Sequence, residues 1–169
     1  MRLTDLFLAE LDREADRTRR TLERVPEGRP DWKPHPKSMA LGYLAALVAT
    51  LPTWLVMIIN QDELDLQPAG GKRYSMAEWS TARDLVEIHD RGVEQAREAF
   101  RKTNDEYLLT TKWRLLVAGN VVSEDPRHVV LRETINHLAH HRGQLTVYLR
   151  LNDKPVPSIY GPSADEKTF

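Results

Sequence analysis

An all-α fold, built as a four-helix bundle with crossover connections, is what this sequence predicts. Three observations carry the expectation. Four long stretches place apolar residues three and four positions apart, the spacing that turns one face of a helix toward a core. The segments between them are rich in proline and glycine and longer than tight turns, which suits connections crossing the end of a bundle. The chain has 169 residues, 41% of them hydrophobic, and no cysteine. Side-chain packing, not disulfides, therefore has to hold what is expected to be one domain over residues 1–169.

The first element runs to Arg24. Leu3, Leu6, Phe7, Leu11 and Leu22 recur at helical intervals, and the other face mixes Arg with Asp and Glu, the pattern of an amphipathic helix with a solvated outer side. Val25 to Lys37 holds four prolines and a glycine, so regular structure breaks there, with Trp32 as the loop's anchor. Ser38 is the expected N-cap of a second helix from Met39 to about Ile59, its inward positions including Leu41, Leu44, Leu47, Val48, Leu51, Leu55 and Ile58. Pro52 is expected to kink it.

Asn60 to Ser80 reads as a polar connection with a strand-like piece around Tyr74. Ser80 or Thr81 caps a third helix to about Lys102, with Leu85, Ile88, His89, Gly92, Ala96 and Phe100 along one side. Tyr107–Val122 mixes β-branched residues with Lys112, Trp113 and Arg114 and has no clear period. Pro126 opens the fourth long helix, which is expected to end near Asn152–Asp153 and to leave an extended tail over about 153–169.

That last helix carries the chemistry. His137 and His141 lie one turn apart and project from the same face, while His140 is rotated away from it. This spacing is the common way for one helix to offer two nitrogens to a metal. With no cysteine in the chain, only histidine, carboxylate and water could complete such a site. His89, on the apolar side of the third helix, is a candidate third ligand; the structural alternative is a satisfied core histidine. Arg142 and Arg150 follow on a polar side and read as holding the tail through Tyr160, Asp165 or Glu166.

A formal net charge of -1 gives no footprint for nucleic acid or an anionic membrane. The N-terminus lacks a signal peptide's apolar core, and the apolar run Leu41–Asn60 is interrupted by Pro52, so a cytoplasmic protein without a membrane span is expected.

From His137 to Glu166, the run HLAHHRGQLTVYLRLNDKPVPSIYGPSADE resembles the DinB/YfiT-like superfamily of metal-binding four-helix bundles, and Trp32–Trp54 resembles its second helix and entry. The resemblance implies one divalent metal, nickel or zinc, held by three histidines. Two fall on His137 and His141; the third, from the second helix, falls on Leu47. A leucine cannot ligate a metal, so the chain departs from the pattern at that position.

Two functions follow. By resemblance, the protein is a metal-dependent enzyme acting on a small molecule, a hydrolase or a thiol S-transferase whose low-molecular-weight thiol is a cosubstrate, since the chain has no thiol of its own. The alternative is a non-catalytic, stress-associated binding or dimerisation bundle that has lost its metal. The resemblance also implies a homodimer.

Overall fold

The structure is a computed structural model and describes residues 1–167. The last two residues of the expected tail, and of the expected 1–169 domain, lie outside that range. Four long helices dominate: α1 (Leu3–Leu22), α2 (Leu41–Asn60), α3 (Ala82–Lys102) and α5 (Arg127–Leu151). A short helix, α4 (Asp105–Thr110), and three strands, β1 (Glu63–Asp65), β2 (Lys112–Val117) and β3 (Asn120–Pro126), complete the fold.

The apolar spacing explains how the long helices meet. α2 is the most apolar and lies at the centre, against both α3 and α5; α1 packs against α3 and α5. Leu44, Val48, Leu51, Leu55 and Ile58 are at most 2% exposed, as expected for the inward face of α2. By length and composition α2 could cross a membrane, Pro52 notwithstanding, but most of it is buried among the other helices. Gly92 lets α3 approach closely: a Cβ there would sit 3.1 Å from Thr53 Cγ2 and 3.3 Å from Pro52 Cβ. The core divides into two clusters, one around Phe7, Leu55, Phe100 and Trp113, the other around Leu22, Leu44, Leu85 and Leu145.

The expected ends of the helices hold with one correction. Thr81 caps α3, its side chain accepting from Asp84 N while the Asp84 carboxylate accepts from Thr81 N. Ser38 does not cap α2. That helix starts at Leu41, and its first N–H groups are taken by backbone carbonyls of the proline-rich loop: Leu41 N donates to Trp32 O at 2.9 Å and Gly42 N to Pro30 O at 2.8 Å. Leu6, expected inward on α1, is 44% exposed.

The larger correction concerns the all-α expectation. β1 pairs parallel with β2, and β2 pairs antiparallel with β3, making a small mixed sheet in the order β1-β2-β3. The aperiodic stretch Tyr107–Val122 is thus the end of a short helix followed by a hairpin. Its two-residue turn, Ala118-Gly119, has positive φ at both positions, and the Asp65 carboxylate accepts both of their N–H groups. The strand-like piece near Tyr74 is instead β1, eleven residues nearer the N-terminus at Glu63; Tyr74 N donates to Leu66 O just beyond it.

Candidate functional site

α5 is locked in rotation before it presents any chemistry. Leu138, Leu145 and Leu149 are buried on its inner side. Beside them Arg142, 1% exposed, sends its guanidinium into α1: to Glu14 Oε2 at 2.6 Å, Thr18 Oγ1 at 3.1 Å and the Tyr160 hydroxyl at 2.6 Å. Tyr160 in turn donates to Glu14 at 2.9 Å, so the tail is held as Arg142 was expected to hold it. Burial pushes the Glu14 carboxyl up, but Arg142, Tyr160 and Arg17 together outweigh it and hold the group below its ordinary value. Arg150 holds the tail a second time, through Asp165.

One residue before Arg142, and so rotated by about a quarter of a turn, His141 faces the cavity and not α1. It is 6% exposed, whereas His137 is open to solvent. Their Nε2 atoms are 2.7 Å apart. His141 Nδ1 lies 2.7 Å from Gln144 Oε1, an acceptor, so Nδ1 carries the proton and Nε2 is left to accept from His137 Nε2–H. Partial burial, with the imidazoles of His141 and His140 nearby, holds His137 below the usual histidine value.

The pair forms part of the wall of a cavity of about 980 Å³. Tyr43, Ala46 and Leu47 contribute from α2, and most of the remaining lining comes from the segment 66–80. That segment has no helix, and two indoles fasten it to α2. Trp54 Nε1 donates to the Tyr74 hydroxyl at 2.7 Å, with the two rings edge to face, and Trp79 Nε1 donates to Gly42 O at 3.1 Å. Burial pushes the Tyr74 hydroxyl up.

Leu47 lines the same cavity as His137 and His141, so the position the resemblance assigns to a third ligand faces that cavity and is filled by an aliphatic side chain. His89 is elsewhere. It is 1% exposed, its Nδ1 is 3.2 Å from Asp90 Oδ1, and it does not line the cavity. Among the described residues, no group of three or more His, Asp or Glu could hold an ion. Two nitrogens on one tetrahedral ion, each about 2.0–2.1 Å from it, would stand roughly 3.3 Å apart; the histidines here are at hydrogen-bonding distance. The residues present do not make a three-histidine metal set.

Sequence reasoning found the histidine pair and Leu47, and missed Gln144 and the aromatic lining. Gln144 had a signal: at the third residue after His141 it lies on the same helix face. Trp54 and Trp79 had none, because a tryptophan that anchors a loop and one that lines a cavity look alike in sequence.

The model of the DinB family matches residues 1–168. A 41-residue stretch is 46% identical to the uncharacterized protein YrdA of Bacillus subtilis (strain 168), covering 24% of this chain and 25% of that protein. The crystal structure of a DinB-like protein from Bacillus cereus ATCC 10987 superposes with a TM-score of 0.66 at 24% identity, over 91% of this chain and 95% of the other. That of a DinB-like protein, YjoA, from Bacillus subtilis gives 0.65 at 15% identity, over 96% and 99%. At these identities the two structures speak for the fold alone.

Proposed function

This chain belongs to the DinB family, and from that premise we propose that it binds a small organic molecule in the cavity between α2, α5 and the segment 66–80, with the His137–His141 pair as the polar group that meets it. The observation that carries this reading is the coupled pair itself, two imidazoles hydrogen-bonded at 2.7 Å in the wall of a cavity large enough for a drug-sized molecule. A mostly apolar lining with a few fixed polar groups is the usual composition of such a site. Gln144 fixes the direction of the hydrogen bond, so the pair meets the cavity with a defined donor and acceptor.

A second reading keeps the metal. Gln144 does for His141 what outer partners do for ligating histidines, holding Nδ1–H so that Nε2, which here accepts from His137, is the nitrogen that would bind an ion. On that reading nickel or zinc, carried by two imidazoles and completed by water or substrate, would serve a hydrolase or a thiol S-transferase, at lower affinity than a full set gives.

One titration separates the two. Untagged protein is titrated with nickel and zinc by calorimetry, as wild type, as Leu47→His and as His137→Ala/His141→Ala. The first reading expects little binding by wild type and one equivalent bound by Leu47→His. Stoichiometric binding by wild type, abolished in the double alanine variant, would favour the metal enzyme. For ligand binding itself, a small-molecule screen is read by tryptophan fluorescence and by the ring resonances of His137 and His141. If no compound moves those signals, the binding reading fails.

A further inference from the structure

We propose that the molecule this cavity takes is an apolar organic anion, an aromatic or comparably flat body with one acidic group. The inference rests on reading the cavity as a binding site and adds the chemical class. The body is specified by the lining: Tyr43, Trp54, Tyr74 and Trp79 supply four aromatic rings, and Leu47 and Met76 add aliphatic surface. Two of those rings are fixed in place by their polar atoms, Trp54 through the Tyr74 hydroxyl and Trp79 through Gly42 O, so the aromatic surface is pre-formed.

The acidic group follows from the charges. Arg73 and Glu78 both line the cavity. Arg73 adjoins Tyr74, which is fastened to Trp54; Glu78 adjoins Trp79, which is fastened to Gly42. Twelve residues of α2 separate those anchors, about 18 Å of helix.

The segment 66–80 carries two cations, Lys72 and Arg73, against one acid. Glu78 is that one acid, three residues ahead of Thr81, the N-cap of α3. Arg73 follows another cation, Lys72, and among the described residues neither makes an ion pair with an acid. Among the described residues Glu78 makes no ion pair either, so the excess charge of the segment is positive and lies beside Tyr74, and a guanidinium is suited to a planar or multi-oxygen anion through paired N–H groups.

The test uses two fluorescent naphthalenes of similar shape, the sulfonate 8-anilinonaphthalene-1-sulfonate and the uncharged N-phenyl-1-naphthylamine, with the full-length protein and its Arg73→Gln and Glu78→Gln variants. Both substitutions are on exposed residues and leave the core untouched. The sulfonate is expected to bind one to one with energy transfer from Trp54 and Trp79. Its Kd should rise about two- to fivefold in Arg73→Gln, the scale of one exposed ion pair, while that of the neutral dye stays unchanged. Equal binding of both dyes with no effect of Arg73→Gln would overturn the anion and leave the cavity reading standing. A preference for the neutral dye, or tighter sulfonate binding in Arg73→Gln, would overturn it as well. If neither dye takes energy from the tryptophans, both readings fall together.

Discussion

Replacing Arg142 by alanine tests the link between the buried charge network and the site. The guanidinium is 1% exposed and meets Glu14 Oε2, Thr18 Oγ1 and the Tyr160 hydroxyl, and the Glu14 side chain is only 8% exposed. Removing one partner of a buried pair leaves the other charge uncompensated, at a cost of about 3–5 kcal/mol. Glu14 keeps Arg17 at 2.6 Å and Tyr160 at 2.9 Å, which places the expected loss at the lower end, about 3 kcal/mol. For a chain of this length that corresponds to a fall in Tm of roughly 6–12 °C. Urea denaturation read by circular dichroism measures it directly. Glu14→Leu/Arg142→Met removes both charges, and its stability should return to within about 1 kcal/mol of wild type. Because His141 is the neighbouring residue on the same helix, Arg142→Ala should also move the ring resonances of His141 and His137. A loss below about 1 kcal/mol, or a double variant no better than the single one, would refute the network as the element that sets the rotation of α5.

Two further predictions concern pH. Burial holds His89 below the ordinary histidine value, with Asp90 opposing it. A folded value below the unfolded one means the stability contribution is complete above the unfolded pKa, about 6.5, and is lost as pH falls. The urea midpoint should therefore drop between pH 7.5 and 5.5, and drop less in His89→Gln; equal slopes would refute the assignment. In the tail, Arg24 beside Glu166, helped by Ser158 N–H, brings that carboxyl down to about 2. Its contribution is present above the unfolded value near 4.5 and is lost as pH falls toward 2. Amide exchange over Val156–Ser163 should stay slow at pH 4 and rise near pH 2, and Glu166→Gln should raise it already at neutral pH. Unchanged exchange in that variant would show that the contact does not hold the tail.

The sequence by itself determined the four long helices, because a 3.6-residue apolar period is a local property written into each stretch, and it narrowed the cap of α3 to Ser80 or Thr81, of which the structure chose Thr81. It also determined that His137 and His141 share a face, since four residues on a helix leave no choice. What tertiary structure decided are the relations between distant segments. β1 lies some fifty residues from the strand it pairs with, so neither partner announced itself, and Tyr107–Val122 had no period to read. Ser38 looked like a cap until the carbonyls of Pro30 and Trp32 were found serving α2 instead. Most of all, tertiary packing placed Leu47 from α2 in the cavity that the two histidines line and put the aromatic segment 66–80 across it. Spacing along one helix can supply two nitrogens. Whether they meet a third ligand, a substrate or each other depends on which side chain the neighbouring helix brings to that place.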